Sequence, residues 1–439
     1  MLGIALAAGC YHKDPGPVPY AAAEGPARIA RIPGALADTA SIEVAIRAGS
    51  AHDPAGREGL AWLTAELVRH GGTRAMDPDA FDQALADLGA EITVEVGAEL
   101  VRFRAVGPAA NGAAIEALLG AMVSEPRFDD SAFPIAVERA TSAVAAREAA
   151  TTPALAAEAV RLWVFRGHPY GHLVEGRSGT LPTIRAAEVR HFYAERYVRA
   201  ATVGCVVGDA PAGEPLGAAL TTLPPRLYED VTPRIVEPVD GLRVLWLEAH
   251  GSDASVQLGR PLELVSGEGG EAWVAMKALE ESLRGSIDGT VRVGLDPDLE
   301  GGTVQPMIRV SVDTTPDRVA AALKALFDTL AAPPEGLPDR ERLHAEGVAE
   351  RTAARASDAC GAAFVSSLVP GSVDLMDPID ETVLRTLMAR VWNADGWKVL
   401  VVTPGAAGIA QSLREGNPTP PVYAAASASD AISTDVLFR

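Results

Sequence analysis

Three sets of side chains in this chain are of types that hold metals or move protons. Glu66 and His70 stand four apart in GLAWLTAELVRHGGT, with His52 upstream in AGSAHDPAG, and His168 and His172 stand four apart in HPYGHLVEG. A carboxylate and an imidazole at i, i+4 share a helix face. Together with His52 they could offer three donors to a divalent ion, or they could form the ordinary ion pair of a solvated helix face. His168 and His172 sit in a Gly-containing segment and read as residues that fix a turn rather than as ligands. The third set is Cys10, Cys205 and Cys360, widely scattered, with no CxxC pair and no zinc-knuckle spacing. That distribution argues against a disulfide scaffold, and Cys205 in ATVGCVVGD and Cys360 in SDACGAAF read as small buried apolar residues. Neither a GxSxG elbow nor a phosphate-cradling P-loop occurs in the sequence.

The elements that must position these groups can be followed along the chain. Ile42, Val44 and Ile46 alternate in SIEVAIRAGS, the period of a strand with one buried face. Leu60, Leu63, Leu67 and Val68 then recur at helical spacing until Gly71 and Gly72 stop the helix. A short helix in PDAFDQALADLG, a strand in ELVRFRAVG, and Ala-rich helices over 111–123, 130–149 and 154–165 follow. HPYGHLVEGRSG is a loop, AAEVRHFYAERY a helix and ATVGCVVGD a closing strand. The second half repeats the plan: RVLWLEA and ASVQLGRP are strands, GEAWVAMKALEESLRGSI a helix and MIRVSVDTT a strand, and WNADGWKVLVVTPG echoes RYVRAATVGCVVGDA. The offset is roughly 200 residues, a duplicated-domain period rather than a solenoid repeat. With 439 residues, two cores are expected. The boundaries expected are a domain over 26–210, a Pro- and Gly-rich linker over 211–240, a domain over 241–415 and an irregular tail over 416–439.

Acidic residues number 58 against 38 basic ones, and the net charge of −20 repels phosphate, which argues against nucleic acid and anionic membrane surfaces as partners. The opening MLGIALAAGC resembles the lipobox of bacterial lipoproteins, with Cys10 as the acylated residue, and YHKDPGPVPYAAAEG reads as a tether, so residues 1–25 form a signal and tether. The resemblance implies a lipid-anchored protein of the bacterial cell envelope facing the periplasm. No other segment approaches the roughly 18 apolar residues of a membrane span, so lipid would be the only membrane contact.

Four segments, AGSAHDPAGREGLA with its closing GGT, FDDSAFPIAVERATSAVAAREAATTPA, HPYGHLVEG and RYVRAATVGCVVGDA, resemble the insulinase, or pitrilysin, family of zinc peptidases, which includes the mitochondrial processing peptidase subunits. The resemblance implies an α+β protein of two homologous domains, each a mostly antiparallel sheet covered on one face by helices. In that family an HxxEH helix grips zinc through two imidazoles one turn apart, while the Glu polarises the bound water. Carried onto WLTAE, the motif places Trp62 at the first His, Ala65 at the Glu and Glu66 at the second His, and the further Glu ligand falls on Ala145. Trp62 and Ala145 have no lone pair for zinc, so neither metal nor other cofactor is expected. Arg284 corresponds to a peptide-binding Arg of the family, but Gly294 and Leu295 stand where a Tyr would follow it. Gly267, Gly269 and Gly270 loosely match the Gly-rich loop of noncatalytic processing-peptidase subunits, or make a plain turn before a helix. The resemblance thus implies an inactive homologue that binds peptide and completes the chamber of an active, zinc-bearing sister in a heterodimer. Its rivals are an envelope scaffold of the same fold without proteolytic role and, less favoured, a metallopeptidase with an unrecognised site.

Overall fold

The computed structural model describes residues 26–32, 38–148, 153–207, 214–226, 243–249, 251–264, 267–295, 306–334, 336–358, 360–361, 364, 368, 378–414 and 422–423. In the first half, strands β1 (Arg28–Ile32), β2 (Thr39–Ile46), β3 (Glu91–Val96), β4 (Val101–Pro108) and β5 (Thr202–Val207) alternate with helices α1 (Leu60–His70), α2 (Pro78–Asp87), α3 (Gly112–Ser124), α4 (Ala132–Glu148), α5 (Pro153–Val164), α6 (Ala186–Arg196) and α7 (Glu214–Thr221). The second half comprises β6 (Arg243–Glu248), β7 (Ala254–Pro261), α8 (Gly269–Arg284), β8 (Thr290–Leu295), β9 (Met307–Thr314), α9 (Val319–Ala331), α10 (Arg340–Ser357), α11 (Glu381–Val391), β10 (Lys398–Thr403), α12 (Ala406–Ser412) and β11 (Val422–Tyr423).

The two sheets share one topology. The first runs β1-β5-β2-β4-β3 and the second β11-β6-β10-β7-β9-β8, so β6, β10, β7, β9 and β8 repeat the first order strand for strand, with β11 added at the edge. In both, the first pair is parallel (β1 with β5, β6 with β10) and the next three are antiparallel. This is the mostly antiparallel, duplicated α+β architecture that the sequence repeat predicts.

One face of each sheet carries its own helices. Ile42, Val44 and Ile46 of β2 pack with Leu63 and Leu67 of α1 and with Ile115 and Leu119 of α3. Val256 and Leu258 of β7 pack with Leu279 of α8, Leu326 of α9 and Leu384 of α11. The opposite faces are covered by exchange between the halves. Helix α5 of the first half lays Ala156, Ala159, Val160 and Trp163 against Leu245, Leu247, Leu400 and Val402 of the second sheet. A Cβ at Gly259 of β7 would come within 3.1 Å of Val160 and Val164, so the glycine sets how closely α5 lies. Reciprocally, Cys360, Phe364 and Leu368, helical residues that follow α10, pack against Ala45, Leu100, Val203, Cys205 and Val207 of the first sheet. Their spacing of four puts all three on one helix face.

The structure alters three sequence-based expectations, the first two through this exchange. Period-two alternation in β2 predicts one buried face, but Ser41, Glu43 and Arg47 on the other are at most 2% exposed. Alternation reports polarity; Phe364 and Leu368 of the second half cover this face, while Ser41 and Glu43 are satisfied by Arg104 and Arg102 of β4, and Arg47 by Glu99 and the Leu368 carbonyl. Cys205 and Cys360, read as separate apolar residues, form a disulfide across 155 residues of sequence. The spacing rule for cysteines addresses local scaffolds and is blind to a pair joined by tertiary contact. Finally, part of the expected linker is structured: residues 214–221 form α7, and Leu216, Leu220 and Leu223 belong to the first core. There a short amphipathic pattern outweighs the neighbouring prolines and glycines. In the tail, Val422 and Tyr423 pair with Trp246 and Leu247 of β6.

Candidate functional site

Helix α1 is aimed by the loop before it. Gly59 supplies a left-handed N-cap with φ 95°, and the side chain of Asp53 reaches across to accept the N–H groups of Gly59 and Ala61, both at 2.7 Å. Those are donors that a helix start leaves unsatisfied. The loop over 167–176 docks on the same turn: a Cβ at Gly59 would meet the carbonyl oxygen of Glu175 at 2.6 Å, and one at Gly176 would meet that of Glu58 at 2.2 Å. Both glycines have positive φ, so GREGL and HPYGHLVEG are two backbones in direct contact.

On α1, Leu60, Leu63, Ala65, Leu67 and Val68 face the core, leaving Trp62, Glu66, Arg69 and His70 along the partly exposed side. Trp62 packs its ring against the rim of the first core. Ala65 is wholly buried. Glu66 and His70 form a pair at 3.6 Å (Oε2 to Nε2). Burial raises the Glu66 carboxyl above its ordinary value, against the nearby charges of Arg139 and Arg69, and burial with the same two cations lowers the His70 imidazole. Both shifts favour the uncharged forms, so the pair is a weak one despite its spacing. Arg139 belongs to α4, which crosses α1 and carries Ala145 exposed to solvent.

His52 does not join Glu66 and His70. Its Nδ1 donates to the Gly49 carbonyl at 3.1 Å, and burial followed by the charges of Arg196 and Arg47 holds its pKa well below the usual imidazole range. Among the described residues no group of three or more His, Cys, Asp and Glu is placed to hold a metal ion. His168 accepts the Tyr170 N–H at 3.1 Å through Nδ1, while His172 Nδ1 donates to the Leu173 carbonyl at 2.9 Å, so both fix the turn. The Tyr170 hydroxyl bonds Glu99, which pairs with Arg47 at 3.3 Å, and Arg47 donates to the Leu368 carbonyl at 2.7 Å. This buried chain of polar contacts joins the HPYGH loop to the exchanged segment, and residue types alone carry no sign of it.

Arg284 lies at the end of α8, far along the chain from α1. It pairs with Glu280 at 2.7 Å and donates to the Val291 carbonyl of β8 at 3.3 Å, while Glu280 accepts the Val293 N–H at 2.7 Å. Arg284 is thus fastened beside an edge strand. Gly267 has φ 93°, and Gly269 and Gly270 open α8 as buried first-turn residues. Cys10 lies outside the described residues.

No family model matches the chain. No curated protein matches it in sequence. Solved structures do match in fold. The peptidase M16 inactive domain from Pseudomonas fluorescens superposes with a TM-score of 0.70 at 17% identity, covering 86% of this chain and 96% of that one. A protease from Helicobacter pylori gives 0.64 at 13% identity, and an M16-like peptidase from Alicyclobacillus acidocaldarius 0.66 at 14%, each with the same coverage. The architecture is therefore the insulinase-like, or M16, fold. The family resemblance read from AGSAHDPAGREGLA, HPYGHLVEG and their companions holds at the level of the fold.

Proposed function

We propose that this chain is a noncatalytic M16-like subunit that binds peptide and completes the chamber of an active, zinc-bearing sister, anchored in the bacterial envelope through an acylated Cys10. The observation that carries the proposal lies on α1 and α4: the positions that the resemblance matches to the family's ligands and base hold Trp62, Ala65, Glu66 and Ala145, and Ala65 is packed into the core. A single carboxylate among the four cannot hold and activate zinc. The similarity to an inactive M16 domain supports the same reading, though other structures of the fold are proteases. Peptide binding would use sheet edges. β3 and β8 end the strand orders of their sheets, and an extended peptide can add to such an edge as a further strand; on β8 it would displace the side-chain bonds of Glu280 and Arg284 to the Val293 N–H and the Val291 carbonyl, and on β3 that of Arg69 to the Ile92 carbonyl. Arg284 stands beside β8, and the exposed Ile135 leaves apolar surface on α4.

The test is purification of the full chain from its native host, with metal analysis and a peptide-cleavage assay before and after separation from whatever co-purifies. The expected result is a chain without stoichiometric metal whose partner cleaves peptide faster in its presence. A partner equally active alone would point to the scaffold role instead. One tightly held transition metal per chain, with chelator-sensitive cleavage by the separated chain, would refute the noncatalytic reading altogether.

A further inference from the structure

The second half holds on to the first sheet through contacts of four different kinds within eleven residues. Arg102 of β4 clasps Asp358 with both terminal nitrogens, one at 2.8 Å, while also bonding Glu43 at 2.8 Å. Cys360 is bonded to Cys205 of β5, the strand between β1 and β2. Phe364 lies wholly buried beneath the Arg102 guanidinium, 5.5 Å from ring centroid to Cζ. The Leu368 carbonyl accepts from the buried Arg47. Cys205 and Cys360 are both 0% exposed in the finished fold, enclosed by Ala45, Leu100, Val203, Val207, Phe364 and Leu368.

We infer that Cys205 and Cys360 are oxidised during folding by a thiol–disulfide oxidant, in a compartment that maintains disulfides, and that the bond clamps the exchanged segment onto the first sheet. Enclosure sets the order of events. No oxidant reaches either sulfur once the segment is seated, so exchange takes place before its docking is complete. One cysteine thiolate attacks the oxidant's disulfide to give a mixed disulfide. The other attacks the protein sulfur of that bond, the Sγ–Sγ bond forms, and the oxidant leaves as a dithiol carrying the two electrons and the two protons. A reducing cytosol keeps such thiols unpaired, whereas secreted and periplasmic proteins retain their disulfides. The inference shares the envelope location proposed above but is independent of any partner or peptide. The same enclosure makes the finished bond a structural clamp rather than a redox switch.

Three measurements decide it. The full chain is taken from its native host under acid quench, alkylated with N-ethylmaleimide while denatured, and mapped by mass spectrometry without reduction. A Cys205–Cys360 cross-linked peptide with neither residue labelled is expected, and alkylation of both would overturn the inference. Native protein treated with dithiothreitol should lose the bond on the order of a hundredfold more slowly than urea-unfolded protein, and equal rates would contradict the enclosure. In C360A, amide exchange in β5 should quicken on the order of tenfold or more, and unchanged protection there would remove the clamp. Should C360A fail to fold, the first two measurements still decide the matter on the natural chain.

Discussion

At the scale of single residues, Asp53 and His52 show how the loop before α1 is held. Asp53 satisfies two backbone donors at the helix start, so Asp53→Ala should lower stability by about 1–2 kcal/mol, read as a lowered urea midpoint with unchanged slope. His52 contributes through its proton. Its folded-state pKa is depressed, so the unfolded chain binds the proton more readily, and stability rises with pH across the interval between the two values. The contribution is complete above the unfolded value of about 6.5 and is lost as pH falls through it. His70 and His172 are depressed with burial as the largest cause and act in the same sense. The buried carboxyls of Asp53 and Glu66 are raised and act in the opposite sense, so the readout is a difference: between about pH 7.5 and 6 the urea midpoint of the natural chain should fall relative to that of His52→Gln. Parallel midpoints of the two proteins over that interval would contradict the burial argument for His52. Ala65 stands where the family resemblance would place the catalytic Glu: placing a carboxylate where the side chain is fully enclosed should destabilise Ala65→Glu by about 3 kcal/mol or more. If Ala65→Glu instead folds with wild-type stability, the packing account of α1 is wrong.

At the scale of elements, the informative contacts run between β4, β2 and the exchanged segment. Glu43 is 1% exposed and is balanced by Arg102 at 2.8 Å and Arg104 at 3.5 Å, while Arg102 also engages Asp358 and is held strongly protonated despite its burial. Removing the shared cation leaves a buried carboxylate short of a partner. Arg102→Ala should accordingly cost about 3 kcal/mol, while Asp358→Asn, whose partner keeps Glu43, should cost about 1 kcal/mol. Chemical denaturation of the two variants checks the ranking, and equal losses would mean that Arg102 serves the segment rather than the sheet. The pairing of α5 with the segment after α10 has a physical reason in the fold. A central strand covered on only one face would expose its other side chains to water, and exchange lets each half seal its neighbour.

At the scale of the whole molecule, the disulfide closes a 155-residue loop between the halves. Loop-entropy arguments give at most about 5 kcal/mol for such a closure, and measured values commonly fall at 2–4 kcal/mol. Reduced protein should thus show a lower thermal midpoint and, with the covalent link gone, separate transitions for the two cores. Coincident transitions in reduced and oxidised protein, by circular dichroism and tryptophan fluorescence, would show that noncovalent exchange alone couples the halves. The repeated sheet order also gives two corresponding edges, β3 and β8, and helix side chains bond both: Arg69 the Ile92 carbonyl of β3, and Arg284 and Glu280 the Val291 carbonyl and Val293 N–H of β8.

The local patterns of this chain are strong enough to read unaided. Alternation at Ile42, Val44 and Ile46, the helical spacing of Leu60, Leu63 and Leu67, and the echo of ATVGCVVGD in WKVLVVTPG identify strand, helix and duplication, because each is a periodicity within a few residues. The residue types at Trp62, Ala65, Glu66 and Ala145 likewise carry their chemical argument wherever they lie. Only the tertiary structure decided which faces are doubly covered, that Ser41, Glu43 and Arg47 lie inside, and that Cys205 meets Cys360. These depend on segments more than a hundred residues apart being brought into contact, and burial on that scale leaves no period in the chain.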